Sequence, residues 1–258
     1  MLNDWPRTRC YEALARDAAQ SWAKDAGKDT LVALDLGSGT GLLAMLLAKN
    51  AQAVGVSAHI VGVEAEAELA GLGQRIAASN NLDVVKIHKA LSTELGPGLP
   101  GSEVRAGVCI HEVFGSDPLS ERLLPSLRHA KRELLAKNCK LLPSTATVFC
   151  ALCQGPPLRH AFTAPAAIEG VRCLGEIFAA LGPLVEAMDL CSSPGAGAAV
   201  GEDGLIWLSV AWQVCELYFW DLADEVPAER TVVLHNCCGA SADEGALFLA
   251  SWFRIDSP

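Results

Sequence analysis

The sequence predicts an α/β protein whose first part is a doubly wound, Rossmann-like parallel sheet and whose second part is an antiparallel β-domain. A strand-like run ends in three alternating glycines and restarts as a helix between residues 30 and 50. Strand-like and helix-like segments then alternate up to about residue 142. Beyond Pro143, short strand-like runs are separated by segments rich in Pro, Gly and Ser. We therefore expect two domains, residues 1–142 and residues 143–258.

The elements of the first domain are predicted from apolar residues at helical or strand spacing, with Gly and Asn as stop signals. Helices are expected at residues 1–26, 42–50, 65–78 and 123–136. Strands are expected at residues 31–34, 61–64, 84–88, 105–110 and 139–142. The opening helix carries Tyr11, Leu14 and Trp22 on one face, and we expect it to pack beside the glycine loop.

The second domain is predicted from short runs rich in β-branched, aromatic and other apolar residues. Strands are expected at residues 146–153, 205–212, 231–234 and 246–255. Residues 162–190 are expected to mix loop and helix. The sequence contains no internal repeat and no low-complexity tail.

The overall charge and hydropathy exclude several classes of function. A formal net charge of −10 over 258 residues disfavours non-specific binding to nucleic acid or to anionic membranes, both of which need clustered Lys and Arg. No apolar run reaches the length of a membrane span. The first residues lack the basic start and apolar core of a signal peptide, so a cytoplasmic or nuclear location is expected.

The cysteines do not predict a metal site. The ten cysteines are interpreted as reduced core residues rather than as a disulfide framework. Cys150 and Cys153 have the spacing of metal ligands, but they lie in a strand-like run without a second pair at zinc-finger distance. We expect no bound metal.

The glycine loop favours one class of ligand. Its pattern is Gly37-x-Gly39-x-Gly41, and Leu42 stands where a dinucleotide-binding loop needs its third glycine. With Asp35 two residues before the first glycine, this tighter spacing suits S-adenosylmethionine better than a dinucleotide. The alternative is a tight turn that needs glycine only for positive φ angles.

Two further acidic positions fit the same ligand. Glu64 ends the next predicted strand, where one carboxylate can accept from both ribose hydroxyls. Thr93 and Glu94 follow the third strand, and Glu94 is a candidate acceptor for the adenine amino group. A plain loop carboxylate is the alternative interpretation of Glu94.

A pair of glutamates follows the fourth strand of the predicted sheet. Glu112 and Glu121 lie nine residues apart in a loop at the carboxyl edge, where they can flank one planar guanidinium. Two carboxylates can draw positive charge towards two nitrogens and leave the third free to attack a methyl group. The alternative is a helix cap at Asp117 or Glu121 beside an unrelated Glu112. For His111, a packed residue is favoured over a catalytic base.

The order of these residues resembles that of the protein arginine methyltransferases. The resemblance rests on Met1-Leu2-Asn3-Asp4 with Arg7 and Tyr11, on the glycine loop, and on Glu64, Glu94, Glu112 and Glu121. The stretch from Leu124 to Val148 looks closest to the branch called protein arginine methyltransferase seven. The resemblance covers roughly residues 1–153 well and the remainder loosely.

This resemblance implies a function and a set of roles. It implies transfer of a methyl group from S-adenosylmethionine to a guanidinium nitrogen in an arginine-rich protein substrate. Arg7 would hold the cofactor carboxylate, and Glu112 and Glu121 would grip the substrate arginine. The other implied cofactor-binding residues are Asp35, Gly37, Gly39, Gly41, Glu64, Thr93 and Glu94. Residues 143–258 would form an incomplete antiparallel β-barrel that carries substrate and dimer contacts.

The departures from the family pattern leave alternatives open. No Thr-His-Trp loop occurs, although residues 252–256 resemble the strand that precedes it, and the aromatic helix before the first motif is missing. A truncated or divergent member is the simplest explanation. A cofactor-binding scaffold without turnover is the main alternative, and a small-molecule or nucleic-acid methyltransferase is a weaker one.

Overall fold

The computed structural model describes residues 4–25, 30–114, 121–154, 167–168, 171–172, 206–207, 212–222 and 248–256. The chain divides into two compact units. The first comprises Met1–Ala146, Leu217–Pro227 and Ile255–Pro258, and the second comprises Thr147–Glu216 and Ala228–Arg254.

A five-stranded parallel sheet forms the centre of the first unit, in the order β3-β2-β1-β4-β5. Its strands are β1 (Leu31–Leu36), β2 (Ala58–Glu64), β3 (Val85–Lys89), β4 (Ala106–His111) and β5 (Leu135–Leu142). The central strands β1, β2 and β4 are mostly buried and apolar, as expected where helices cover a parallel sheet, whereas the edge strands β3 and β5 carry exposed polar residues. The predicted parallel α/β core is therefore confirmed.

Helices connect these strands and bury their apolar faces against the sheet. They are α1 (Trp5–Asp25), α2 (Leu42–Ala53), α3 (Ala67–Ser79) and α4 (Leu123–His129), with a short α5 (Phe219–Leu222). The core combines Tyr11 and Ala15 of α1 with Leu47 of α2 and with Ile60 and Ile110 of the central strands. Asp4 caps α1, because its carboxylate accepts from the backbone N–H of Arg7 at 3.0 Å.

The end of the fourth predicted helix is wrong. Helical spacing extended it to Ala136, but α4 ends at His129 and one π-helical turn, Ala130–Leu134, follows. Strand β5 then begins at Leu135, four residues earlier than predicted, because Leu135 pairs with Ala106 of β4. Pairing with the sheet therefore overrode a local helical pattern.

The second unit contains short strands. They are β6 (Thr145–Gln154), β7 (Ala167–Ile168), β8 (Val171–Arg172), β9 (Ile206–Trp207), β10 (Trp212–Tyr218) and β11 (Phe248–Asp256), of which β6, β10 and β11 extend into the first unit at one end. Strand β6 pairs antiparallel with β9, and β7 pairs antiparallel with β8. The predicted strand at residues 231–234 lies outside the described residues, as does most of the predicted mixed segment at residues 162–190.

Neither a membrane-spanning helix nor a cluster of metal ligands occurs within the described residues. Among them, no helix has both the length and the apolar composition to cross a bilayer. Nor does any group of three His, Cys, Asp or Glu side chains within the described ranges gather closely enough to hold a metal ion.

Candidate active site

The strand order brings the carboxyl ends of three strands together. Leu36 at the end of β1 pairs with Val63 of β2 on one side and with His111 of β4 on the other. The next residues, Gly37, Glu64 and Glu112, therefore lie side by side at the carboxyl edge of the sheet, with Glu64 as the last residue of β2. The order of the strands reverses between β1 and β4, and this is the crevice where open α/β sheets bind ligands.

Asp35 is a fully buried carboxylate that shapes the glycine loop. Its Oδ2 accepts from the Ser38 hydroxyl at 2.8 Å and from the backbone N–H of Ala44 at 3.0 Å. The second bond caps the first turn of α2 from the neighbouring strand. Its Oδ1 is buried without a hydrogen-bond partner among the described residues. Burial raises the pKa of Asp35 to about 6.

The glycine loop runs through three positive φ angles before α2 begins. Gly37 has φ 74°, Gly39 has φ 52° and Gly41 has φ 79°. A Cβ on Gly37 would lie 3.0 Å from Val113 Cγ1, whereas a Cβ on Gly39 would meet no atom within 4 Å. Gly37 therefore permits close packing against the segment after β4, and Gly39 borders open space. This space lies at the start of a helix, where backbone N–H groups favour an electronegative ligand.

The Glu64 carboxylate already accepts a hydrogen bond from this loop. Its Oε2 accepts from the backbone N–H of Gly39 at 2.7 Å, and its Oε1 accepts from that of Glu66 at 2.8 Å. Each carboxylate oxygen has a second lone pair, so the side chain retains capacity to accept from ribose hydroxyls.

Thr93 and Glu94 lie beyond β3 in one 3₁₀ turn, Ser92–Glu94. Thr93 is half-buried and Glu94 is exposed. No hydrogen bond of the Glu94 carboxylate occurs among the described residues. Within that part of the chain its side chain is therefore free to accept a bond, and no described residue requires a carboxylate there.

Glu112 binds a guanidinium group within its own chain. Its Oε1 accepts from Arg7 Nη1 at 2.5 Å, while Arg7 Nε lies 3.0 Å from Asp4 Oδ2. The Glu112 side chain is 11 % exposed and that of Arg7 is 43 % exposed. Burial raises the pKa of Glu112, and the charge of Arg7 opposes that shift. Oε2 of Glu112 makes no hydrogen bond to any described residue.

Glu121 lies at the far end of the loop, in a left-handed conformation with φ 54°. It is exposed, and its negative charge adds to the raised pKa of Glu112, so the two carboxyl groups interact electrostatically. The intervening residues 115–120 lie outside the described ranges. The alternative interpretation of Glu121 as a helix cap has no support in its geometry, since Arg122 is the N-cap residue of α4 and makes no capping hydrogen bond with its side chain. The other cap candidate, Asp117, lies outside the described residues.

His111 and Tyr11 anchor the strand end that carries Glu112. The Tyr11 hydroxyl donates to the His111 carbonyl at 2.9 Å, and His111 Nε2 lies 3.2 Å from the Pro143 carbonyl. A carbonyl oxygen can only accept a hydrogen bond, so Nε2 of His111 carries the proton and Nδ1 is unprotonated. His111 is fully buried between Phe114 and Phe219, with ring centroids at 5.4 and 5.3 Å. Burial lowers the pKa of His111 to about 4, which agrees with the packed interpretation.

Three contributions were absent from the sequence interpretation of the site. Ser38 donates to Asp35, Val113 packs against Gly37, and the Tyr11 hydroxyl holds the His111 carbonyl. Of these three contributions, only that of Tyr11 could have been inferred from the sequence. It follows Arg7 by four residues, so both project from one face of α1.

Comparisons with known proteins show what the chain is similar to. The chain is 36% identical over 157 residues to protein arginine N-methyltransferase 7 of Bos taurus, and the match covers 60% of this chain and 21% of the relative. It is 34% identical over 158 residues to the protein of the same name in Aedes aegypti, with 60% and 22% covered. The resemblance to the protein arginine methyltransferases is confirmed. The chain spans about a fifth of the length of these curated relatives.

A solved structure supports the same fold. One chain of the Trypanosoma brucei PRMT1 enzyme-prozyme heterotetrameric complex with AdoHcy aligns with a TM-score of 0.60 and 19% identity. The alignment covers 85% of this chain and 61% of that chain. At this identity the likeness concerns the fold alone. No protein-family model matches the sequence.

Proposed function

We propose that the chain contains the catalytic domain of a protein arginine N-methyltransferase that uses S-adenosylmethionine. One observation carries this proposal. Glu112 leaves the sheet beside the glycine loop and already binds a guanidinium, that of Arg7. The carboxylate therefore stands where a ligand of the loop and a substrate arginine would meet.

The residues around the loop fit S-adenosylmethionine, which supplies an electrophilic methyl group on a sulfonium. Gly39 borders open space, so no side chain fills the cradle at the start of α2. Glu64 would hold the ribose with its remaining lone pairs, and Thr93 and Glu94 would border the adenine. Arg7 has an Nη2 without a partner among the described residues and would hold the cofactor carboxylate.

The acceptor side depends on Glu112 and Glu121. A guanidinium nitrogen is a poor nucleophile because its lone pair is delocalised. Carboxylates bound to two of its nitrogens draw positive charge towards them and leave the third nitrogen oriented for attack. The free Oε2 of Glu112 and the exposed carboxylate of Glu121 provide acceptors for this role. Glu112 must be ionised, which the positive charge of the substrate favours.

The substrate and assembly are part of the same proposal. We infer an arginine-rich protein segment as the acceptor, and a β-barrel in residues 143–258 that supplies substrate and dimer contacts. The antiparallel pairs β6 with β9 and β7 with β8 support a β-domain in that region. The oligomeric state of the trypanosomal neighbour is compatible with association through that part of the fold.

Methylation of a peptide tests the proposal directly. The protein is incubated with S-adenosylmethionine and an arginine-rich peptide, and methylarginine is detected by mass spectrometry. Loss of a charge-stabilising group costs about 10²- to 10³-fold in rate, so Glu112→Gln is expected to lose at least that much. Glu68→Gln, an exposed carboxylate of α3, is the matched control and should behave like the parent. Absence of methylarginine with the parent protein would refute the proposal.

A scaffold that binds the cofactor without turnover is the second candidate. The Arg7–Glu112 pair favours it, because one oxygen of the proposed acceptor site is already occupied within the chain. Calorimetry with S-adenosylhomocysteine separates the two. Binding without methylation supports the scaffold, and binding with methylation supports the enzyme.

A further inference from the structure

A cleft lined by positively charged residues lies at the opposite edge of the sheet from the candidate active site. It has a volume of about 670 Å³ and is lined by Arg105, Lys131, Arg132, Leu135, Lys137 and Trp220. Arg105 directly precedes β4, and Leu135 begins β5. Glu112 follows the other end of β4, so the cleft lies about 20 Å from it at about 3.3 Å per strand residue. The two sites are therefore separate.

Backbone contacts hold two of the cleft's cations in place. Arg105 Nη1 donates to the carbonyls of Arg132 at 2.7 Å and of Leu135 at 3.2 Å. Lys131 Nζ donates to the Trp220 carbonyl at 3.0 Å and lies 5.0 Å from the centre of that indole ring. Neutral carbonyls fix both side chains, and the two carbonyls that bind Arg105 do not cancel its charge. The entropy cost of ordering them on ligand binding is correspondingly small.

Charge in the cleft is only partly balanced. Glu133 pairs with Arg132 at 2.7 Å, whereas neither Arg105 nor Lys137 forms an ion pair within the described residues. Lys137 is exposed and makes no hydrogen bond or ion pair within the described residues. Arg105 likewise has Nε and Nη2 without a partner there. The hydrogen bond from Arg132 lowers the pKa of Glu133, and the charge of Arg105 acts in the same direction.

We propose that this cleft binds an acidic protein segment, whose Asp or Glu carboxylates pair with Arg105 and Lys137. Nε and Nη2 of Arg105 can both donate to one carboxylate, and the ammonium group of Lys137 offers a mobile point charge. The Glu133–Arg132 pair shows the same chemistry within the chain. The half-buried indole of Trp220 provides apolar area for a neighbouring residue of such a segment.

A protein segment suits this cleft better than RNA. The chain as a whole carries a net charge of −10, and its long-range repulsion grows with the charge of the ligand, so it opposes a long polyanion more than a short peptide with a few carboxylates. One face of Trp220 is already approached by Lys131, which limits base stacking. A few carboxylates on a short peptide match Arg105 and Lys137 better than a long phosphate backbone does.

Binding of a labelled peptide to the full chain tests this inference without any measurement of methylation. The probe is a fluorescent peptide of alternating Glu and Gly, and fluorescence anisotropy gives its Kd at low and physiological salt. We expect saturable binding that weakens with salt, and no binding of the matched Gln–Gly peptide. Lys137→Glu should weaken binding by about tenfold, as expected for reversal of a charge that pairs with the ligand.

The matched control is Lys86→Glu, which makes the same charge change at an exposed position of β3. It should leave the Kd within about twofold of the parent value. Equal losses in the two variants would overturn the proposal, because they would indicate a general charge effect. It would also be overturned by a lack of saturable binding, or by tighter binding of a single-stranded oligonucleotide of equal charge. Circular dichroism checks that both variants fold.

Discussion

Arg7 Nη1 lies 2.5 Å from Glu112 Oε1, and this ion pair joins the first helix to the loop after β4 across 105 residues of sequence. The same helix holds the preceding residue through Tyr11, whose hydroxyl donates to the His111 carbonyl. Two residues one turn apart on α1 thus fix two consecutive residues at the carboxyl end of β4. The position of the candidate catalytic carboxylate therefore depends on α1 as well as on the sheet.

Arg7→Gln is expected to shift the acid limb of methyl transfer to higher pH. Burial raises the pKa of Glu112 and the charge of Arg7 lowers it, so loss of that charge raises it further. A protonated Glu112 cannot pair with a guanidinium, and activity falls at a higher pH. Profiles of kcat/KM against pH measure the shift. Arg16→Gln, at an exposed position on the same helix, is the control. Identical acid limbs in the pH profiles of the parent, Arg7→Gln and Arg16→Gln proteins would contradict the prediction.

Tyr11→Phe is expected to lower the free energy of unfolding by about 1–3 kcal/mol, because it leaves a buried carbonyl without its donor. Urea denaturation measures the change. Cys10→Ser alters the neighbouring, exposed side chain and should have little effect. A Tyr11→Phe protein as stable as the parent would mean that the hydroxyl contributes nothing to anchoring β4.

His111 is expected to destabilise the protein as the pH falls. Its pKa is lowered from 6.5 to about 4 in the folded state, so the unfolded chain takes up the proton first. The stability contribution is full above pH 6.5 and is lost as the pH falls towards 4, by up to about 3 kcal/mol. In His111→Gln, the fall in unfolding free energy between pH 7 and 4 should be smaller. Equal pH dependence in the two proteins would argue against a neutral, buried imidazole.

Asp35 is expected to change the stability of the protein in the direction opposite to His111 over nearly the same pH range. Burial raises its pKa from 3.8 to about 6, so the folded state takes up the proton first. The stability it contributes is present below pH 3.8 and is lost as the pH rises through 6. Asp35→Asn removes this compensation, so stability should fall more steeply on acidification than in the parent. Chemical denaturation at several pH values measures the slopes, and a shallower slope would be contrary to expectation.

The two glycines Gly37 and Gly39 are expected to respond differently to alanine. Both have positive φ, so each substitution costs about 1–2 kcal/mol in backbone energy. Only Gly37→Ala also drives a Cβ to 3.0 Å from Val113, so its loss of stability should be larger. Gly39→Ala adds its methyl group to open space, where the cofactor is proposed to lie. Its main effect should be weaker binding of S-adenosylhomocysteine, which calorimetry measures. An unchanged affinity would contradict a cofactor position next to Gly39.

Much of the first unit follows from local sequence, as its strands and glycine loop show. The strand at Leu31, the break at Gly37 and the helix from Leu42 are encoded by neighbouring residues, so their order and type were predictable. The parallel sheet follows from their alternation. The end of α4 was not predictable in this way, because pairing of Leu135 with Ala106 competes with helical spacing and is a contact between distant parts of the chain.

The sequence by itself determined the α/β core, the glycine loop and which acidic residues follow the ends of its strands, because each of these depends on short-range periodicity and turn chemistry. Only the tertiary structure decided that Asp35 caps α2 from a buried position and that His111 is neutral. It alone paired Arg7 with Glu112 and gathered four cations beside Trp220. These features depend on burial and on distances between residues far apart in sequence, and local patterns carry no information about either.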